Sequence, residues 1–383
     1  MAKLGDICTL NMGQSPDSAT YNEVGKGLPF FQGNADFGRF HPTVRVWCSE
    51  PTKIAHTGDI LISVRAPIGA MNIANQDCCI GRGLAAIQVN KNICDPQYLW
   101  YAIQAKVGDL NLKGTGSTFK AISKGTLADT EILLVPLDVQ KNIAKILSNV
   151  ENTILFRKEQ LTKLDELVKA RFVEMFGDPI YNEKGWTTQS LNEICTVIVD
   201  CPHSTPSYTT EDTGYKCIRT SIVKKNNILW DKIEYIPKQE YFQRIQRKKP
   251  EKGDVIYTRE GAILGIAAVI DRECNVALGQ RSMLLSPDTQ KCLPYFLSTA
   301  MNFDSFLKNA LGGISGSASP HINVGDVKSF EIIVPPLPLQ KEFTHFVEEV
   351  DKSKLLVGSA AAHKTFDIGF FPKSTVQRPI KEV

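Results

Sequence analysis

The chain has 383 residues, 43% of them hydrophobic and 22% charged, with a formal net charge of +3. That length is too great for one ordinary core and suits two domains of soluble, globular composition. No run approaches the ~20 apolar residues of a membrane span, Met1-Ala-Lys-Leu-Gly-Asp6 lacks the pattern of a secretory signal, and so mild a charge neither demands nor excludes nucleic acid.

The opening phrase recurs. Leu4-Gly-Asp-Ile-Cys-Thr9 matches Leu191-Asn-Glu-Ile-Cys-Thr196, 187 positions later. Gly58-Asp-Ile-Leu61 matches Gly253-Asp-Val-Ile256 at 195, and Gly81 and Pro96 match Gly279 and Pro294 at 198. Gly125, Glu131, Pro136, Gln140 and Lys141 match Gly325, Glu331, Pro336, Gln340 and Lys341 at 200. One module is written twice, with short insertions accumulating in the loops of the second copy. Two copies in one chain can sit about an approximate two-fold axis, as subunits of a dimer do, and so suit a ligand with two similar halves.

Each copy begins with short strands. Turn residues Gly58-Asp59 and Gly253-Asp254 precede the apolar runs Ile60–Val64 and Val255–Thr258. Proline followed by bulky residues predicts a helix over Pro96–Ala105 and over Pro294–Phe303. Glu131–Val135 and Glu331–Val334 read as late strands ending at proline. The fold class is mixed, strand-rich α/β.

A long helix then follows the first module. Asp138 can cap its start, and Pro338 suits the first turn of its counterpart. Ile143, Leu147, Val150, Ile154, Leu161, Leu164, Val168 and Met175 form a heptad seam, with Arg157 at one seam position, and Gly177 stops it. From Val139 to Phe176 the helix would be about 57 Å long. In the second copy Phe343, Val347 and Val350 match Ile143, Leu147 and Val150. Two antiparallel helices with one seam would pack together and hold the modules at a fixed spacing. A core helix within a bundle is the alternative.

Catalytic groups are missing from this pattern. Gly114–Lys120 lacks the spacing of a phosphate loop, and neither paired metal histidines nor a nucleophile elbow is found. Ten cysteines include no Cys-x-x-Cys, and Cys78 and Cys79 are adjacent, so they read as free thiols in a reducing cytoplasm. The copies share basic or polar residues near glycine: Arg65 and Arg259 after matched strands, Arg82 by Gly81, Arg281 near Gly279, and Ser117 and Ser317 in a matched loop, with Lys120 and Lys124 in the first copy only. Arginine can hold a guanine edge or a phosphate with two donors. Solvated turns explain any one of these residues, but their recurrence favours DNA contact. The run Arg244, Arg247, Lys248, Lys249 and the pair Lys224-Lys225 are open to either a solvated face or phosphate contact. Trp47, Trp100, Trp186 and Trp230 read as core.

Gly13-Gln-Ser-Pro16, Tyr21-Asn22, Pro29-Phe-Phe-Gln-Gly33, the Gly-Asp-Ile-Leu strand start with Arg65, and the two Pro-Leu-x-x-Gln-Lys helix entries resemble the specificity subunit of type I restriction-modification systems, over residues 1–356. The resemblance implies target-recognition domains at 1–136 and 179–336, spacer helices at 137–178 and, shortened, at 337–357, and an atypical tail at 358–383. Each domain would read one half of a split, asymmetric double-stranded DNA site. The chain would not itself be an enzyme or bind a metal or cofactor. It would place two methyltransferase subunits, which carry S-adenosylmethionine, and restriction subunits, in the cytoplasm and away from any membrane. Candidate DNA contacts are Gln14, Ser15, Gln32, Asn34, Arg65, Arg82, Ser117, Lys120, Lys124, Arg219, Lys224, Lys225, Arg259, Arg281, Ser317 and His321. The altered tail predicts weaker docking of one methyltransferase subunit. An orphan reader that binds DNA without a modification complex is the alternative function.

Overall fold

A computed structural model describes residues 1–116, 120–261, 263–312 and 321–362, in two compact units, Met1–Phe156 and Arg157–Ala362. The units repeat one strand-rich α/β plan. In the first, a four-stranded antiparallel sheet has the order Cys8–Met12, Leu84–Val89, Ile60–Ser63, Met71–Ile73. In the second the order is Cys195–Asp200, Ser282–Pro287, Val255–Thr258, Ala267–Val269.

The central strands are apolar at nearly every position because both faces of each sheet are covered. Ile60, Ile62, Ala85 and Ile87 enter the core formed with Leu4, Ile7, Tyr98, Leu99 and Ile103. The alternating residues Leu61, Leu84 and Ala86 enter a second core with Phe31 and Ile80. Val255, Tyr257, Met283 and Leu285 divide from Ile256 and Leu284 in the same way. A second sheet lies beyond each smaller core. It contains Leu28–Phe31 parallel to Cys78–Ile80 in the first unit and Lys216–Ile218 parallel to Val276–Leu278 in the second.

The repeated opening phrase is a single helical turn before the first sheet strand, Leu4–Ile7 and Leu191–Ile194, with leucine and isoleucine buried in both. The proline-started helices differ from their expected ends. Pro96–Leu112 runs beyond Ala105, with Asp95 capping the amides of Gln97 and Tyr98. Pro294–Met301 stops earlier, because the Asn302 side chain accepts from Ala267 N at 2.9 Å and donates to Ala267 O at 2.8 Å. That contact ties the turn to an edge strand, and a new helix, Asp304–Leu311, follows.

The repeated glutamines explain the repeated helix entries. Gln140 is fully buried, accepts from Asp95 N, and donates to Ile93 O and Val135 O at 2.9, 3.1 and 2.7 Å. Gln340, also fully buried, does the same with Leu293 N, Lys291 O and Pro335 O at 2.8, 2.9 and 2.8 Å. Each amide satisfies three backbone groups that would otherwise be orphaned where the chain turns into the helix.

Those helices are Leu137–Phe176, 40 residues or about 60 Å by rise, and Leu337–Ala362. The first begins before Asp138, which therefore lies inside the opening turn instead of capping it. It ends at Gly177, whose φ of 79° favours glycine. In the second unit the two helices pack antiparallel: Arg171 pairs with Glu342 at 2.7 Å and Asp165 with Lys354 at 2.8 Å. Val168 meets Phe343, Val347 and Val350 in one core, as the seam requires. Phe172 and Phe176 were absent from the expected seam, yet both are fully buried and central to it. Ile154, expected in the seam, is 43% exposed. In the first unit Ile143 and Leu147 pack onto the sheet core.

Candidate nucleic-acid interface

In the first unit several turns meet where strands end. Gly13 N donates to Leu84 O (2.9 Å), Gln14 N to Ile80 O (3.0 Å) and Gly83 N to Gln32 O (3.1 Å). Val64 N donates to Gly83 O and Ala66 N to Lys120 O, both at 2.9 Å. Such close backbone contact requires glycine: a Cβ on Gly13 would lie 2.1 Å from Gly81 O, and one on Gly83 2.6 Å from Gln32 O. The turns present Gln14, Gln32, Arg65, Arg82 and Lys120 to solvent around a half-buried Ser15. Ser15 Oγ bonds the Gln32 amide through Nε2 (2.9 Å) and Oε1 (3.2 Å) and accepts from Arg82 N (3.3 Å). Asn34 opens a short 3₁₀ turn just beyond Gln32. The exposed Lys124 lies in the first turn of the helix Lys124–Ala128, capped by Ser123. Seven of the expected contacts are thus gathered on one edge, with Lys124 four residues along the chain from Lys120. Ser117 and Ser317 lie outside the described residues.

The second unit builds the corresponding edge. Gly279 N donates to Ile218 O (2.8 Å), Arg259 N to Arg281 O (3.1 Å) and Ile322 N to Arg259 O (2.9 Å). Arg219, Arg281 and His321 are exposed there. Arg219 Nη1 donates to both oxygens of Glu234 at 3.1 and 2.8 Å, and its guanidinium lies 4.3 Å from the Tyr208 ring centroid.

Strand register fixes which residues of the two edges are equivalent. Ile60 pairs with Ile87 and Val255 with Leu285, so Val64 corresponds to Arg259 and Arg65 to Glu260. The bridges Arg65–Ala121 and Glu260–His321 agree with this. Phe31 beside Ile80 and Ile218 beside Leu278 make Gln32 equivalent to Arg219, Arg82 to Gln280 and Gly83 to Arg281. The recurring arginines therefore do not recur in space. Successive strand residues face opposite ways, so the one-residue difference sends Arg65 to solvent and Arg259 inward, where it is 5% exposed.

Arg259 is thereby removed from the DNA candidates. Its Nε and Nη2 grip Asp200 Oδ1 and Oδ2, both at 2.9 Å, Nη1 lies 2.6 Å from Glu260, and burial opposes its charge while these carboxylates hold its pKa above the ordinary value. Lys225 is an exposed brace that pairs with Asp304 at 2.9 Å, and half-buried Lys224 donates to Ser221 O at 2.9 Å. The basic run divides, with Arg247 and Lys249 exposed and Arg244 and Lys248 engaged within the fold. Arg244 is 7% exposed and donates to Glu240, Leu278 O and Ser204 O, while Lys248 pairs with Glu251 and Asp254.

Sequence reading missed Tyr208, Glu234, Asp200 and Gln280. Tyr208 does repeat, as Tyr21 at the same 187-residue offset, whereas Glu234, Asp200 and Gln280 do not, and each acts only through a partner brought near by the sheet. Among the described residues no cluster of His, Cys, Asp or Glu could hold a metal ion, and burial pushes the Cys8, Cys78 and Cys195 thiols up to about 12, far from thiolate reactivity at neutral pH. No helix among the described residues is long and apolar enough to cross a membrane.

A family model described as the type I restriction modification DNA specificity domain matches twice, over residues 1–166 and 183–357. The putative type I restriction enzyme MjaX specificity subunit of Methanocaldococcus jannaschii is 41% identical over 158 residues, covering 41% of this chain and 37% of that protein. The MjaVIII specificity subunit of the same organism is 23% identical over 282 residues, covering 70% of this chain and 66% of that protein. The alignments thus span less than two thirds of either relative. The crystal structure of a type I restriction-modification system S subunit from M. genitalium shares the fold, with a TM-score of 0.59 at 13% identity over 94% of this chain and 91% of that one.

Proposed function

The chain belongs to the type I restriction modification DNA specificity domain family, and from that premise we propose that it is a non-catalytic DNA reader for an asymmetric, bipartite target. The reading rests on one observation above all. Two sheets of the same order carry different polar side chains at equivalent edge positions: Gln32 and Arg219, Arg65 and Glu260, Arg82 and Gln280. Equivalent scaffolds with unlike donors and acceptors suit two unlike half-sites, because base edges are distinguished by their hydrogen-bond pattern.

In this reading residues 1–136 and 179–336 are the readers. Residues 137–178 and 337–357 are spacers, and the cytoplasm is the site of action. Methyltransferase subunits carrying S-adenosylmethionine would dock on the chain, with restriction subunits added to that complex. Selection of duplexes from a randomised library by the chain, co-expressed with the methyltransferase encoded in the same strain, should return a two-part motif with an unread gap. Inserting seven residues near Glu151 in the long helix should lengthen that gap. A one-part motif, or a gap indifferent to the insertion, would overturn the reading.

A further inference from the structure

Of the three edge equivalences, only Gln32 with Arg219 has a fixed side chain in both units. Arg65 and Arg82 have no side-chain partner among the described residues, although their counterparts Glu260 and Gln280 contact Arg259 and Thr205. Phosphate contacts tolerate a mobile cation, but reading a base edge requires donors or acceptors in a set orientation. A side chain already held in place also loses less rotamer freedom on binding.

The two holding devices differ in chemistry. Ser15 Oγ engages both ends of the Gln32 amide, at 2.9 and 3.2 Å, so the second N–H and the outer lone pair of Oε1 stay available but point to opposite sides of the amide. Either one can make a single hydrogen bond to a base edge, but together they do not form the parallel pair that adenine N7 and N6 require. Glu234 takes Arg219 Nη1 with both oxygens, and Tyr208 lies under the guanidinium. Nη2 and Nε have no partner among the described residues, and the side chain is 46% exposed. Two free parallel donors complement O6 and N7 of guanine.

We propose that positions 32 and 219 are the equivalent base-reading positions of the two units, with Arg219 selecting a guanine in one half-site and Gln32 making a single hydrogen bond to a base edge in the other. Ser15 and Glu234 act as positioning residues. The proposal deepens the DNA-reading function and rests on it.

The test is library selection with the complex carrying R219A, R219K, E234Q, Q32A or S15A. R219A should lower the preference for one guanine at least tenfold and leave the other half-site intact. R219K keeps the charge but loses the fork, so it should relax the same guanine. E234Q should relax it in part, by freeing the side chain. Q32A should relax one base pair in the opposite half-site, and S15A should do so more weakly. Uniform weakening with no base relaxed, rescued by R219K and accompanied by a salt slope smaller by about 1, would make Arg219 a phosphate contact and overturn the proposal. Unchanged motifs in R219A and Q32A would also overturn it. Failure of the parent complex to select any two-part motif would instead overturn the DNA-reading function.

Discussion

Replacing Arg259 and Arg65 in turn separates a buried brace from an exposed contact. Arg259→Ala would leave Asp200, 13% exposed, without its bidentate partner, with only His203 at 3.1 Å beside it. Removing one member of a buried ion pair costs about 3–5 kcal/mol. Asp200 lies near the surface and keeps His203, so about 3 kcal/mol is the fitting value. In a unit of this size that corresponds to a melting shift of about 6–12 °C for the transition of Arg157–Ala362. Combining Arg259→Leu with Asp200→Asn should recover most of the loss, because no buried charge then stands alone. Arg65→Ala should change stability by less than about 0.5 kcal/mol while weakening DNA binding about tenfold, the scale of one lost charge-assisted contact. Calorimetry with a salt-controlled binding titration measures both. If Arg259→Ala melts like the parent and loses DNA affinity while Arg65→Ala is silent, the register argument is wrong.

Phe172 lies 5.0–5.4 Å, ring to ring, from Phe176, Phe296, Phe303 and Phe343. Phe172→Ala should cost about 3–5 kcal/mol in denaturant unfolding, and Ile154→Ala, at a 43% exposed position, less than about 1 kcal/mol. Gln340→Ala removes the partner of three backbone groups and should cost about 2–4 kcal/mol by the same measurement. Lys225, with Lys169, holds the Asp304 carboxyl below its ordinary value of 3.8. The stability this confers is present above that value and lost as pH falls through the depressed one, so Asp304→Asn should flatten the acid side of the pH–stability curve. Because Asp304 is 65% exposed, the change should be small and shrink further with salt.

The duplication, the two long helices and the stop of the first at Gly177 were legible in the sequence, because the elements that carry them have strong local signals: turn glycines, helix-starting prolines and a heptad. Phe172 escaped because its core is built by Phe296, Phe303 and Phe343, far away along the chain. Asn302 ended a helix early through a hydrogen bond to Ala267, which no local propensity encodes. The matched offsets of 195 and 198 already set Arg65 against Glu260 and Arg82 against Gln280, but which arginine stays in solvent depended on the acceptors that the folded sheet brings beside it, Asp200 above all.

Composition, repeat and spacing alone determined that this chain is two related modules with helices after each, since such patterns arise from local chain geometry. Tertiary structure decided which polar groups remain exposed. Arg259 and Arg244 found acceptors inside the fold while, among the described residues, Arg65 and Arg82 did not, and a charge stays in water unless the folded chain supplies its partner.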